Sequence, residues 1–221
     1  MPRALTSRHQ GYGRVLSLEP FWELLTALES YRLDPELAQT KQSERIHAFI
    51  RGLRLSARLI YIIRRVLSGT GMEVHWGQVL SEDGRVCSRE CDVIIHRPGE
   101  LARWNGDDEK PVMDFRFITR EKAAAVISCK SFLRSVDKEQ IRYREDMKRY
   151  VDRVYLFAGY CYRSSLSRLR QTAHTAGYDG LWHLCAIDRK TGVTEQDEHV
   201  WVSFIGEMEK IAAIAPGGSK S

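Results

Sequence analysis

The spacing of apolar residues along the chain predicts an alternation of helices and strands. Between residues 41 and 68, apolar side chains recur at helical spacing on two opposite sides, and the Gly69–Thr70–Gly71 turn ends the run. We therefore expect a long helix that packs against neighbours on both of those sides. Residues 18–33 show the same periodicity over a shorter stretch and predict a short helix, which Asp34–Pro35 interrupts.

Strand-like segments bounded by turn residues follow the long helix. Strands are expected at 74–80, 86–96, 115–119, 123–131, 154–160, 180–187 and 200–205, and helices at 137–150, 164–176 and 206–214. An Asp83–Gly84 turn makes the first two strands a hairpin, and residues 97–111 read as a polar loop. The apolar run at 123–131 indicates a strand that is buried on both faces.

This order of elements predicts the fold class and the domain organisation. A helix, three strands and then alternating helices and strands are typical of an α/β protein with a central mixed β-sheet flanked by helices. We expect an N-terminal helical extension at 1–40, a single α/β domain at 41–214 and a flexible tail at 215–221. A chain of 221 residues is long enough for one domain with an ordinary core.

Composition narrows the class of protein. Hydrophobic residues make up 43% and charged residues 29% of the chain, which excludes wholesale disorder and fibrous repeats. Arginines interrupt the longest apolar stretch, around 59–66, so no segment approaches the roughly 20 apolar residues of a membrane span. The first ten residues lack the apolar segment of a secretory signal, and we expect a cytoplasmic protein with no membrane partner. The five cysteines form no CxxC pair, which favours reduced, mostly buried thiols.

Positive charge is concentrated in two segments. Residues 41–65 contain seven Lys/Arg against one Asp/Glu, and residues 131–170 contain ten against five. Four arginines lie along one edge of the predicted long helix: Arg51, Arg54, Arg58 and Arg65. A solvated helix face is the commonest meaning of such a run, but phosphate contacts also require this kind of patch. We interpret these arginines as candidate nucleic-acid-binding residues.

Two pairs of polar residues on predicted strands suggest a chemistry. Glu90 and Asp92 are two residues apart and share one face, and Ser128 and Lys130 share a face of a later strand. A divalent cation held by carboxylate oxygens polarises a phosphate and lowers the pKa of a bound water. A nearby lysine can orient that water and stabilise the developing charge. Together these groups can hydrolyse a phosphodiester bond.

These residues resemble the PD-(D/E)XK nuclease superfamily, which has a restriction-endonuclease-like fold. The resemblance spans residues 43–159 and rests on Glu44 in a helix, Glu90–Cys91–Asp92 in a strand, and Ser128–Cys129–Lys130–Ser131 closing the next. It implies that Asp92 is a metal ligand, Lys130 the catalytic lysine, the Cys129 carbonyl a further ligand and Glu44 an acidic helper. It also implies Mg²⁺ or Mn²⁺ as cofactor, DNA as substrate, and a role in restriction or phage defence.

The chain departs from the family pattern at one position. Ser128 occupies the place of the usual (D/E)XK acid, and a hydroxyl is a much poorer magnesium ligand than a carboxylate. Either Glu90 or Glu44 supplies the missing charge, or the site is degenerate and the protein binds nucleic acid or a partner protein without cleavage. Gln140 and Tyr143 resemble the QxxxY motif of RecB-like nucleases with one residue fewer between them.

Several alternatives stay open at this point. Glu44 can act at a helix start through the helix dipole instead of in catalysis, and Glu90 can pair with Arg89 or Arg116 instead of a metal ion. Ser128 can be a small packing residue. The residues do not decide between DNA and RNA, or between a homodimer and a partner subunit.

Overall fold

The computed structural model describes residues 22–24, 43–99, 102–104 and 115–214. The predicted N-terminal extension, the short helix at 18–33 and the tail at 215–221 lie outside the described residues, except that residues 22–24 are helical. The helices are α1 (Ser43–Val66), α2 (Lys138–Met147), α3 (Leu166–Thr175) and α4 (Glu198–Ile214), with a 3-10 turn at Arg163–Ser165 before α3. The strands are β1 (Glu73–Leu80), β2 (Cys91–His96), β3 (Ala102–Trp104), β4 (Phe115–Thr119), β5 (Ala123–Leu133), β6 (Val154–Tyr162), β7 (Gly180–Ile187) and β8 (Thr194–Gln196).

The eight strands form one mixed sheet in the order β3-β4-β1-β2-β5-β6-β7-β8. Strands β5, β6 and β7 run parallel to one another, and β1 is parallel to β4, whereas the other neighbouring pairs are antiparallel. The pairing of β2 with β5 places Val93 opposite Ile127 and so brings the start of β2 beside the middle of β5.

Two hydrophobic clusters cover the two faces of this sheet. On one face, Leu59 and Ile62 of α1 and Phe204 of α4 pack on Val93 and Ile127. On the other, the residues that pack together come from α2, α3, β2 and β6, among them Met147, Leu169, Ile94 and Leu156. The alternation along β2 and β5 assigns successive residues to opposite faces, so both strands are buried on two sides, as the apolar run in β5 predicts.

The predicted α/β class with a mixed sheet and flanking helices is confirmed, and the long helix is observed as α1. The strand predicted at 200–205 is wrong, because those residues form the first turns of α4. Their local sequence is a short apolar run, but Trp201, Phe204, Met208 and Ile211 recur every three or four residues and bury a helical stripe.

Three further differences concern the start of one strand and the presence of two others. The strand predicted at 86–96 begins only at Cys91, because Ser88 pairs with Val79 through both its backbone and its hydroxyl and bends the chain before β2. The short strands β3 and β8 were not predicted. Strand β3 lies within the stretch expected to be a polar loop.

The pairing between β1 and β2 is irregular at Trp76, where the register shifts between His75 and Gly77. Gly77 is required there, because a Cβ atom on this residue would overlap the carbonyl oxygen of Arg116 on β4. Such a bulge re-aims the side chain at its centre, which here is the Trp76 indole.

The described residues include no helix that is both long and apolar enough to cross a membrane. All five cysteines are free, and four of them are buried, with Cys87 exposed.

Candidate active site

Asp92 lies at the start of β2, where its carboxylate faces the neighbouring strand β5. The backbone N–H of Cys129 donates a hydrogen bond of 2.8 Å to Asp92 Oδ2, and the Ser128 hydroxyl donates to the same carboxylate. These two donors fix the orientation of the carboxylate across the strand pair. They leave oxygen lone pairs available, because an ionised carboxylate can accept about four hydrogen bonds or metal contacts.

Burial dominates the electrostatics of Asp92 and raises the pKa of its carboxyl above the usual range. The Cys129 N–H, the Lys130 ammonium and the Ser128 hydroxyl lower this pKa, and the Glu90 carboxylate raises it, but none of these effects outweighs burial. The charged form of Asp92 is therefore under-stabilised by the protein alone. A cation bound at this carboxylate would relieve that free-energy penalty.

Lys130 reaches the same place from β5, two residues beyond Ser128 and on the same face of the strand. Its side chain is half-buried, and its charge lowers the pKa of the Asp92 carboxyl. Within the described part of the chain, Lys130 makes neither an ion pair nor a side-chain hydrogen bond. Its ammonium group therefore keeps its donors for another molecule.

Glu90 precedes β2 instead of lying in it, yet its carboxylate is close enough to raise the pKa of Asp92. The side chain is exposed, and the Trp76 indole N–H donates a 2.7 Å hydrogen bond to Glu90 Oε1. Glu90 thus takes its partner from the β1 bulge and not from Arg89 or Arg116. The proximity of Glu90 to Asp92 follows from this contact and not from strand alternation.

Helix α2 closes the site from the second face of the sheet. The Tyr143 hydroxyl is buried without a hydrogen bond of ordinary geometry to any described residue. Burial raises the pKa of Tyr143, and the Cys91 thiol and the Asp92 carboxylate raise it further. Burial likewise raises the pKa of Cys91 to about 12, so both groups remain neutral. The sequence signal for Tyr143 was its spacing from Gln140 alone.

Gln140 has a structural partner in this conformation. Its side-chain oxygen accepts a 2.9 Å hydrogen bond from the backbone N–H of Asp137, while the Asp137 carboxylate accepts bonds from the first turn of α2. This reciprocal capping box begins the helix. A catalytic role for Gln140 stays a prediction.

Glu44 lies in the first turn of α1, but its side chain is outside the described part of the structure. Helix α1 contacts β5 through Ser56, whose hydroxyl lies against the buried Cys129 thiol. Twelve residues of helix separate Glu44 from Ser56, or about 18 Å along the axis. This spacing favours Glu90 over Glu44 as the second carboxylate near Asp92.

The oxygen donors at this site fit a hard divalent cation. Asp92 and Glu90 supply carboxylates whose charges repel each other, and Ser128 supplies a buried hydroxyl. Mg²⁺ is commonly bound through one or two carboxylates together with waters and substrate oxygens. The residues present can therefore hold Mg²⁺ or Mn²⁺ even though the usual second acid is a serine.

The arginines of α1 differ in their partners. Arg58 and Arg65 pair with Glu23 at 3.1 and 3.2 Å, and both guanidinium groups lie over the Tyr61 ring. Arg51 is exposed, and Arg54 is exposed with a contact of its own. Glu23 therefore offsets part of the positive charge expected for this edge, and nucleic-acid binding by the four residues stays a prediction.

A second polar cluster was not predicted from the sequence. Glu73, His75 and His96 lie at the opposite end of β2 from Asp92, with one potential metal-ligating atom of each within 4.8 Å of the others. His75 Nδ1 and His96 Nε2 are 2.7 Å apart, and His96 Nδ1 lies 2.7 Å from the Arg97 carbonyl oxygen. Glu73 and His96 lie opposite each other in the antiparallel pair β1–β2. Sequence alone could have predicted this cluster only if the register of the two strands were known.

Comparison with solved structures identifies proteins of similar fold. NucC from P. aeruginosa, in its cAAA-bound form, aligns with a TM-score of 0.55 and 11% identity over 87% of this chain and 88% of that chain. NucC from E. coli, also cAAA-bound, aligns with a TM-score of 0.55 and 10% identity over 91% of this chain and 93% of that chain. At this identity the likeness shows the fold alone, and it confirms the predicted restriction-endonuclease-like class. No protein-family model and no curated protein sequence matches the chain.

Proposed function

We propose that this chain is a metal-dependent nuclease that hydrolyses phosphodiester bonds of DNA. The observation that carries the proposal is the partly buried Asp92 carboxylate, with its raised pKa, beside the unpaired ammonium of Lys130. Strongly perturbed carboxyls next to a specific charge are typical of catalytic sites. The nuclease-type fold shared with NucC supports the same class of function at the level of the fold.

The residues have distinct roles in this proposal. Asp92 and Glu90 hold Mg²⁺ or Mn²⁺ together with the Cys129 carbonyl, and the ion, when bound, polarises the scissile phosphate and acidifies a water. Lys130 donates hydrogen bonds to a phosphate oxygen or to the attacking water and offsets negative charge as the phosphorus becomes pentacovalent. Ser128 holds the Asp92 carboxylate in place through its hydroxyl.

The proposed biological setting is restriction or phage defence. It rests on the resemblance to the PD-(D/E)XK superfamily and on the fold shared with NucC. A homodimer or a partner subunit would complete the assembly on duplex DNA, and both stay predictions.

Incubation of the purified protein with supercoiled plasmid tests the proposal. We expect nicked or linear product with Mg²⁺ or Mn²⁺ and none with EDTA. Lys130→Gln should lower the cleavage rate by about 10²- to 10³-fold, because it removes a group that acts on charge in the transition state. Lys210→Gln is the matched control, since Lys210 is an exposed lysine on α4 with only an i,i+3 partner.

Equal cleavage by Lys130→Gln and wild type would overturn the assignment of the lysine. Cleavage that persists in EDTA would overturn the metal requirement. Parallel incubation with single-stranded RNA separates the two substrates, and degradation of RNA alone would contradict DNA as the substrate.

The buried serine at position 128 favours a second candidate function, a degenerate module that binds nucleic acid or a partner protein without cleavage. The two candidates differ in their response to Ser128→Glu and Glu90→Gln. If Glu90 has replaced the missing acid, Glu90→Gln abolishes cleavage and Ser128→Glu leaves it similar or lower by crowding the cation. An inactive wild type that becomes active as Ser128→Glu would support the degenerate module.

A further inference from the structure

A cavity of about 300 Å³ opens beyond the last residues of β5, β6 and β7. It lies between helix α3 and the segment that follows β5. The polar residues that line it are Arg134, Ser135, Ser165, Arg168, Thr172 and Arg189. The carboxyl ends of parallel strands are where α/β sheets commonly place ligand sites. This cavity is separate from Asp92 and Glu90, neither of which lines it.

The charged residues that line this cavity are all positive. Three arginines line it, no Asp or Glu does, and Arg134, Arg168 and Arg189 make no ion pair with any residue that the structure describes. A larger cavity elsewhere is different, because Glu82, Glu121 and Asp152 line it together with basic residues. Guanidinium groups without internal carboxylate partners favour an anionic ligand.

Aromatic rings support two of these arginines. The Arg189 guanidinium lies 4.0 Å from the centroid of the Tyr162 ring, and that of Arg134 lies 5.6 Å from the centroid of Phe132. The two rings pack edge to face at 5.0 Å, which links the ends of β5 and β6. Both arginines therefore have partly ordered side chains, and less rotamer freedom is lost when a ligand binds.

The start of α3 adds donors to the same cavity. Ser165 precedes the helix, its hydroxyl makes no capping bond, and no acidic residue lies in the first turn. Ser165 lines the cavity together with Arg168 and Thr172 of α3, so its hydroxyl is available to a ligand there. Arginines and hydroxyls together are a donor set that proteins use for phosphate.

We infer that this cavity is a phosphate-binding site. Its identity as a contact for the backbone of bound DNA rests on the proposed function, whereas its affinity for phosphate does not. Arg134 follows Lys130 by four positions, a span of about 13 Å along an extended strand. A duplex carries a phosphate about every 3.4 Å of its axis on each strand, so one bound segment can reach both Lys130 and the cavity.

Binding measured in EDTA tests the site independently of cleavage. Fluorescence anisotropy follows a labelled 16-base-pair DNA duplex, and competition with AMP and inorganic phosphate separates backbone from free phosphate. We expect Arg168→Gln and Arg189→Gln each to weaken duplex binding about tenfold and to flatten the salt dependence by roughly 0.9 in log Kd against log salt. Arg85→Gln is the control, because Arg85 is an exposed arginine on the β1–β2 connection.

Each outcome decides the inference. If the variants bind the duplex more weakly and neither AMP nor phosphate displaces the duplex from wild type, the site contacts the DNA backbone. If AMP or phosphate displaces the duplex from wild type but not from the variants, the site binds a free phosphate group. Arg168→Lys should recover part of the affinity because it keeps the charge, and circular dichroism confirms that the variants fold. If both Gln variants bind the duplex, AMP and phosphate like wild type, the cavity is no phosphate site. A phosphate site without metal-dependent cleavage would leave this inference standing and remove the proposed nuclease function.

Discussion

The two ends of β2 hold polar clusters that differ in how far the protein satisfies them. At the start of the strand, the partly buried Asp92 carboxylate has a raised pKa and faces an unpaired Lys130. At its end, His96 is fully buried, with one ring nitrogen 2.7 Å from His75 and the other 2.7 Å from a backbone carbonyl. The first cluster is open to another molecule, whereas the second is closed by its own hydrogen bonds.

We therefore expect different roles for the two clusters, ligand binding at Asp92 and a structural role for the histidine pair. Buried polar groups are normally hydrogen-bonded within the protein, so the histidine pair is typical of a core that specifies strand register. A carboxylate that remains under-stabilised persists in a fold when a ligand stabilises it. The oxygen donors near Asp92 suit Mg²⁺, and the nitrogen donors at the other end would suit a softer metal such as zinc.

The largest predicted effect concerns Asp92→Asn. This change keeps the side-chain shape and an acceptor for the Cys129 N–H but removes the charge that would hold a cation in the proposed function. We expect plasmid cleavage with Mg²⁺ to fall by about 10²- to 10³-fold, with the fold unchanged by circular dichroism. Asp152→Asn, at an exposed position after α2, is the control and should cleave like wild type.

The next effect concerns His96→Leu and is expected in stability. The change leaves a ring nitrogen of His75 and the Arg97 carbonyl oxygen without this partner, which costs about 1–3 kcal/mol for each buried polar group left unpaired. Urea unfolding should measure this loss, while cleavage by the folded protein stays within about threefold of wild type. His199→Gln, at an exposed position in α4, should change neither quantity.

Loss of cleavage in folded His96→Leu, comparable to that in Asp92→Asn, would reverse the comparison. The histidine cluster would then be the metal centre. Restoration of that activity by zinc or manganese, and not by magnesium, would identify it as a nitrogen-ligated site.

The fold could be predicted from hydrophobic periodicity where elements are long and buried. The long helix α1 and the doubly buried strand β5 gave unambiguous patterns, and their positions are close to those predicted. The strand predicted at 200–205 failed because a six-residue apolar run is compatible both with a buried strand and with the first turns of an apolar helix. Only the longer repeat that continues to Ile211 distinguishes the two.

The candidate site was predictable only in part, because its contacts cross the sheet. Asp92 and Lys130 could be placed by alternation within strands, and the structure does bring them together. Glu90 reaches Asp92 for another reason, since the bulge at Trp76 positions its carboxylate. A bulge depends on strand register, and register comes from tertiary pairing that a single sequence does not reveal.

Trp76→Phe tests that positioning role and carries a smaller effect. The change removes one neutral donor to Glu90 while keeping the ring that packs against Phe115. We expect the Mg²⁺ concentration for half-maximal cleavage to rise about two- to tenfold. This rise corresponds to the loss of about 0.5–1.5 kcal/mol from one hydrogen bond. Measured instead as the stabilisation by Mg²⁺ against urea, which needs no cleavage, Trp76→Phe should add nothing to Glu90→Gln in a double-mutant cycle. Full additivity would show that Trp76 acts on the site by another route.

The smallest effect, and the sharpest test of the comparison, is the pH dependence of stability without metal. Because burial raises the pKa of Asp92, the native protein binds this proton more tightly than the unfolded chain does. Its carboxylate therefore destabilises the fold progressively as pH rises from about 3.9 through the raised pKa, and fully above it. Asp92→Asn should be as stable as wild type near pH 4 and more stable at pH 7 in EDTA.

The lowered pKa of buried His183 costs stability below about pH 6.5 in both proteins, so it cancels in their difference. Saturating Mg²⁺ should stabilise wild type and leave Asp92→Asn unchanged. If Asp92→Asn were instead less stable than wild type at pH 7, the carboxylate would be as satisfied as the histidine pair, and the two ends of β2 would be alike.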